Sequence, residues 1–257
     1  MSWDALDPSI LGPALLAGLL VLATHVPLGR EVLGRGIIFI DLAIAQISGL
    51  GAIAADPLHL TWLGGYETQA GAGIAALLGA LLLTWLERAF PDVLEALIGV
   101  LFALAATGGI LLLANDPHGG EELKDLLVGQ ILWVSLSSLA PIAVLYALIL
   151  AVWFLVPRSH GRALFYVLFA ITITASVQLV GVYLVFATLI VPAVATRGLA
   201  AGRGLAAAYA IGVLGYVAGL VLSALFDLPT GALIVWCLAA VAAAVMVLRG
   251  RVAVPVV

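Results

Sequence analysis

The sequence predicts an all-α fold, a polytopic membrane helix bundle of about eight or nine transmembrane segments with a broken or re-entrant pair near 163–196. Three observations predict it. The 257 residues are 65% hydrophobic and only 9% charged, and their mean hydropathy is +1.27. The apolar residues fall in long stretches that charged residues do not enter, and the basic residues are unevenly distributed among the connections. A soluble chain of this length could not keep so much apolar surface away from water.

The apolar stretches define the helices in chain order, because a helix of about 20 apolar residues crosses the hydrocarbon core. We place nine spans near 9–28, 36–55, 70–86, 93–114, 139–156, 163–179, 181–196, 205–226 and 231–248. The 34 uncharged residues from Ala163 to Thr196 would form a straight helix about 51 Å long, too long for a core of roughly 30 Å. We therefore predict a break near 178–181. Re-entrant helices are the alternative, and eight spans is the second count.

The basic residues predict the orientation. Nine of the ten lie on one side of the membrane when the nine spans are threaded, and Lys124 alone lies on the other. Basic loops stay in the cytoplasm, so we expect a cytoplasmic (inner) membrane location with the N-terminus outside and the C-terminus inside. No internal repeat or linker is visible, which predicts a single domain over 1–257. The nine residues are Arg30, Arg35, Arg88, Arg158, Arg162, Arg197, Arg203, Arg249 and Arg251.

The outer connection 115–130 combines a turn-rich acidic segment with an apolar one, for which we expect a short helix near 126–134. His118, Glu121 and Glu122 offer imidazole and carboxylate groups that could bind a metal at the entrance. A solvated acidic loop is the simpler interpretation. A disulfide framework and a cysteine metal cluster are excluded, because Cys237 is the single cysteine.

Two stretches, Gly36–Gly51 and Val180–Thr196, resemble the permease subunits of zinc/manganese-type ABC importers, and 126–135 matches more weakly. The resemblance covers about residues 10–248. It implies a cytoplasmic ATP-binding subunit, an external substrate-binding protein and a second permease copy, identical or related. It implies a divalent metal as substrate rather than as a cofactor bound by this chain. The sequence has no phosphate-binding Gly-Lys loop, so ATP hydrolysis is expected on the partner and this chain is not expected to be an enzyme. No nucleic acid partner is expected.

The resemblance places the translocation pathway on the second span and on the sixth and seventh. Many family members carry an Asp and a His four residues apart in the second helix, where this chain has Leu42 and Gln46. A neutral amide is a poor ligand for zinc or manganese. Asp41 does not restore the pair, because it lies about 140° around the helix from Gln46. The predicted pathway residues are Asp41, Leu42, Gln46, Gln178, Thr188 and Pro192.

Asp41 has two interpretations. It lies five residues from the start of its span, only about 7 Å from the cytoplasmic end, where it could be hydrated or paired with Arg35 or Arg30. Alternatively it faces the pathway, as ionisable residues within membranes usually do. Two further classes of function stay open: a secondary transporter that uses Asp41 as its ion site, and a non-transporting membrane assembly protein.

The remaining candidates lie near the membrane surfaces. Loop arginines first set the topology, and they could also contact the ATP-binding subunit. The loop 157–162 is shorter than in the family that the chain resembles. His25 and His59 are expected to be interfacial. The candidate coupling residues are Arg158, Arg162, Arg197 and Arg203.

Overall fold

The computed structural model describes residues 7–55, 66–114, 116–156 and 162–252, and these residues form ten α-helices and no β-strand. Short 3-10 turns at Pro91–Val93 and Ile131–Trp133 join some of them. The helices are α1 (Pro8–Arg35), α2 (Ile40–Ala55), α3 (Glu67–Ala89), α4 (Leu94–Leu112), α5 (Gly119–Val128), α6 (Leu136–Leu155), α7 (Arg162–Val180), α8 (Val182–Ala195), α9 (Ala201–Phe226) and α10 (Thr230–Val252).

The predicted fold class is confirmed, and each of the nine predicted spans corresponds to one apolar helix. Seven helices in the described part of the chain are long and apolar enough to cross a membrane. The helices α2 and α8 are shorter, with 16 and 14 residues, or about 24 and 21 Å. The predicted break is also found, because α7 ends at Val180 and α8 begins at Val182.

The surface of the helices is apolar to a degree that only lipid can accommodate. Leu111 is 75% exposed, Leu155 is 80% exposed and Trp236 is 74% exposed. Apolar patches of this kind mark membrane or protein contact sites. Together with the seven long helices, they identify a multi-pass membrane protein.

Helix packing divides the chain into two compact units. The first contains Met1–Arg35, Gln130–Tyr146 and Tyr183–Val257, and the second contains Gly36–Gly129 and Ala147–Val182. The first unit is therefore built mainly from α1, α8, α9 and α10, and the second mainly from α2, α3, α4 and α7. The single domain over 1–257 stays a prediction.

Small residues let helices approach closely in the first unit. Gly18 of α1 lies against the ring of Tyr216 in α9, and Gly212 of α9 lies against Leu22 of α1. A side chain at either glycine would collide with its neighbour, so the two helices interlock in both directions. Close contact of this kind drives helix association in lipid, where the hydrophobic effect cannot.

In the second unit, α2 and α3 touch through their backbones. A Cβ at Gly51 would lie 2.5 Å from the carbonyl oxygen of Gly71, and a Cβ at Gly71 would collide with Gly51 in turn. Further along the two helices, Gly79 lies against the side chains of Ile44 and Ile47. These contacts fix α2, which carries the first set of predicted pathway residues, to α3.

Candidate functional site

The predicted pathway residues of α2 lie in its first two turns. Asp41 is 1% exposed and Gln46 is 5% exposed, whereas Leu42 is partly buried. Leu42 and Gln46 are one turn apart and share a helix face. The structure therefore places the positions of the missing Asp and His side by side, with side chains that offer no strong metal ligand.

The side chain of Asp41 is buried, and both interpretations of this residue stay predictions. Its two carboxylate oxygens are buried and make no hydrogen bond with the described residues. A buried carboxylate is costly unless a proton or a cation neutralises it. Asp41 is thus a buried acid within the second unit.

A second acid, Glu95 of α4, lies at the beginning of α2. Its Oε1 accepts a hydrogen bond from the backbone N–H of Phe39 at 3.3 Å, and its Oε2 is buried without a partner among the described residues. The first N–H groups of a helix have no partner within the helix, and an acidic group there is stabilised by the helix dipole. Glu95 therefore caps α2 from another helix.

The break between α7 and α8 is held by a second glycine. Gly181 has φ +79° and Gly129, at the end of α5, has φ +70°. A Cβ at Gly181 would lie 2.8 Å from the Cα of Gly129, and a Cβ at Gly129 would collide with the backbone at 180–181. The end of α5 and the break between α7 and α8 thus touch through these two glycines. Gln178, one turn before the break, is exposed.

Two pathway candidates lie on α8, in the first unit. The hydroxyl of Thr188 donates to the carbonyl oxygen of Leu184 at 2.6 Å and lies 3.0 Å from the hydroxyl of Tyr216. Since the proton of Thr188 is already used, Tyr216 donates to Thr188. Pro192 has no N–H for the carbonyl of Thr188 four residues earlier. The middle of α8 therefore combines a buried hydroxyl pair with a carbonyl that lacks its helical donor.

The structure describes three of the four candidate coupling arginines. Arg197, in the connection between α8 and α9, and Arg203, in the first turn of α9, are both exposed. Arg162 begins α7 and lies 3.5 Å from Glu87 of α3, so part of its charge is used within the second unit. Arg158 lies outside the described residues.

The outer connection differs from expectation in where its helix lies. The helix α5 covers Gly119–Val128, and the apolar residues after it form only a 3-10 turn, with Trp133 84% exposed. Nδ1 of His118 lies 3.9 Å from Asp116. No group of three His, Cys, Asp or Glu side chains could hold a metal ion in the described part of the chain. The side chain of Glu122 is outside that part, so the entrance site at His118, Glu121 and Glu122 stays a prediction.

The sequence predicted His25 to be interfacial, and the structure shows it to be buried. It is fully buried in α1 rather than interfacial, with Nδ1 3.0 Å from the carbonyl oxygen of Val21 and Nε2 buried without a partner among the described residues. The predicted span ended at residue 28, whereas α1 continues to Arg35. This extension places His25 within the bundle. His59 lies outside the described residues.

The apolar helices, the buried acid of α2 and the buried polar residues of α8 are features of a multi-pass membrane protein of the transport type. The sequence profile of the ABC 3 transport family matches residues 8–161 and 156–249. The chain belongs to this family, and the resemblance found in the sequence is confirmed.

Curated relatives match almost the whole chain. It is 23% identical over 249 residues to the high-affinity zinc uptake system membrane protein ZnuB of Haemophilus influenzae, covering 89% of this chain and 93% of ZnuB. It is 27% identical over 252 residues to the manganese transport system membrane protein MntC of Halalkalibacterium halodurans, covering 90% and 84% of the two chains. Among solved structures, PsaBC from Streptococcus pneumoniae in complex with Fab aligns with a TM-score of 0.75 at 21% identity, covering 95% of both chains. The last similarity shows a common fold.

Proposed function

We propose that this chain is the membrane-spanning permease subunit of an ABC importer for a divalent metal of the zinc, manganese and iron class. The observation that carries the proposal is the family match from residue 8 to 249, together with relatives named for zinc uptake and manganese transport. The permease works by alternating access, in which a helix bundle opens first to one face and then to the other. A cytoplasmic ATP-binding subunit supplies the energy, and this chain binds no cofactor of its own.

The metal passes through a pathway with few strong ligands. Leu42 and Gln46 occupy neighbouring positions on α2 and provide no charge or imidazole, which supports weak binding of a bare ion within the bundle. Selectivity then comes from an external substrate-binding protein that delivers the metal. A second permease copy, identical or related, completes the pathway, whose lining we assign to Asp41, Leu42, Gln46, Gln178, Thr188 and Pro192.

The direct test is co-expression of this permease with the ATP-binding subunit that co-purifies with it. Right-side-out membrane vesicles that enclose ATP should take up radioactive zinc or manganese when the substrate-binding protein is added outside, and a variant of the ATP-binding subunit that cannot hydrolyse ATP should abolish uptake. Uptake that continues without the ATP-binding subunit would instead identify a secondary transporter. If there is neither uptake nor an ATP-binding partner, the result would favour a non-transporting membrane assembly protein.

The pathway assignment has its own test. Leu42→Asp with Gln46→His rebuilds a ligand pair one turn apart and should increase the metal retained by the purified permease after desalting. His118→Ala serves as the background that removes the possible entrance site. Tight zinc or manganese in the unmodified bundle that is lost in Gln46→Ala would refute weak binding.

The orientation follows from the basic residues, with the N-terminus outside and the C-terminus in the cytoplasm. In a Cys237→Ser background, an impermeant thiol reagent added to intact cells should label a cysteine at His118 and not one at Ala200. Both positions are exposed in the structure, so burial does not explain a difference. Labelling of position 200 from outside would reverse the orientation.

A further inference from the structure

The connection between α8 and α9, residues 196–200, is a short and well-bonded loop. Its backbone turns through hydrogen bonds from Arg197 N to Val194 O (3.1 Å) and from Leu199 N to Thr196 O (3.2 Å). The Thr196 hydroxyl donates to Pro192 O at 2.8 Å. The loop therefore has one defined conformation, and it presents Arg197 to solvent.

A third helix is attached to this loop through Arg249, near the end of α10. Its Nη1 donates to the carbonyl oxygen of Ala195 at 2.6 Å, and its Nη2 donates to that of Arg197 at 3.1 Å. The last carbonyls of a helix lack partners within the helix and carry a partial negative charge. The planar guanidinium fork of arginine can satisfy two such acceptors at once, whereas the amine of lysine has no such fixed fork.

The packing beneath this contact joins the same helices. Ala195 of α8, Ile211 of α9 and Ala242 of α10 form one buried cluster. Arg249 thus lies next to a small apolar contact among α8, α9 and α10, and its hydrogen bonds add an attachment to the loop. In the sequence its charge served only to set the topology, and the structure gives it a second use.

We propose that Arg249 is a positioning residue for energy coupling, which fixes the α8–α9 loop to α10 so that the loop, α8 and α10 move together. The proposal rests on the proposed function, in which a cytoplasmic ATP-binding subunit drives the permease. The candidate contacts of that subunit here are Arg197 in the loop and Arg203 in the first turn of α9. A loop that transmits a movement from a partner must be stiff, because a loose loop would absorb the movement within itself. Arg249 supplies this stiffness from within the permease, through the carbonyl oxygens of Ala195 and Arg197.

The test compares Arg249→Gln and Arg249→Lys with Arg88→Gln in the complete complex. Arg88 is a matched control because it lies in the last turn of α3 with an exposed side chain and makes no hydrogen bond with the described residues. It therefore reports the loss of one arginine charge alone. The measured quantity is the metal taken up per ATP hydrolysed, with zinc or manganese chloride as the probe. The amount of ATP-binding subunit that co-purifies is measured alongside.

We expect Arg249→Gln to lower the metal taken up per ATP at least fivefold while assembly stays within twofold of the unmodified complex. Arg249→Lys should fall between the two, because one of the two carbonyls can keep a donor. Arg88→Gln should leave the ratio unchanged. An unchanged ratio in Arg249→Gln would overturn the proposal. If Arg249→Gln does not assemble, an unchanged ratio in Arg249→Lys would overturn it as well.

Hydrogen exchange on the purified permease separates this proposal from the proposed function, because it needs no ATP-binding subunit. Amides of 196–200 should exchange at least tenfold faster in Arg249→Gln than in the unmodified protein, with α9 unchanged. Equal exchange would show that Arg249 does not hold the loop, whatever the protein transports. Faster exchange in a permease that drives no ATP-dependent uptake would refute the coupling role.

Discussion

Replacing Gly181 with alanine perturbs the break between α7 and α8 through two separate costs. The first is conformational, because an L-residue in the left-handed region costs about 1–2 kcal/mol. The second is steric, because the added Cβ would lie 2.8 Å from the Cα of Gly129 and 2.5 Å from the carbonyl carbon of Val128. Overpacking of this kind costs about 1–3 kcal/mol. Gly181→Ala should therefore destabilise the protein by about 2–5 kcal/mol.

Gly36→Ala isolates the first cost. Gly36 has φ +73°, and a Cβ there would meet nothing within 4 Å, so the expected loss is about 1–2 kcal/mol. Thermal unfolding of the detergent-purified protein can be followed by the fluorescence of its six tryptophans. A loss of 1 kcal/mol lowers Tm by about 2–4 °C for a chain of this size. Equal Tm values for the two variants would refute the contact between Gly181 and Gly129.

Three smaller perturbations use the same unfolding assay. Tyr216→Phe removes the donor to Thr188 but keeps the ring, and it should cost about 1 kcal/mol; an unchanged Tm would mean that the hydroxyl pair contributes nothing. Asp41→Asn removes a buried charge at constant shape, so Tm should stay equal or rise, and a fall of several degrees would reveal a partner for the carboxylate. Glu95→Ala removes the cap on the N–H of Phe39 and should cost about 1 kcal/mol, whereas Glu95→Gln keeps an acceptor and should recover most of it. Identical losses in the alanine and glutamine variants would refute capping.

The sequence predicted the helices because hydropathy and helix length are local properties. The break at Gly181 followed from length alone, since 34 uncharged residues exceed one crossing of the membrane. The extent of α1 could not be predicted in the same way. The charge at Arg30 ended the predicted span, but the helix continues, and Gly29 lets it approach the backbone of Leu189.

Contacts between distant residues account for the features that the sequence did not reveal. Glu95 is 56 residues from the N–H group that it caps, and no spacing rule connects two such positions. Arg249 likewise contacts carbonyls more than 50 residues earlier in the chain. Every residue type has the same backbone carbonyl and nearly every one the same N–H, so a sequence does not indicate which backbone groups a side chain will bind. For Arg249 the sequence indicates only the positive charge. The lack of a strong metal ligand at Leu42 and Gln46, in contrast, follows from residue type and could be predicted from the sequence.

The backbone contact between Gly51 and Gly71 limits how the second unit can rearrange. Packed helices usually slide by small steps in which interlocked side chains change rotamer. At this crossing there are no side chains to readjust, and any sliding would press one carbonyl against the other chain segment. The helices α2 and α3 therefore cannot slide past each other at this crossing. Any displacement of α2, which carries Gln46, must move α3 as well. A spin label on the exposed face of α3 would therefore report the movement of α2 from a position that does not disturb it.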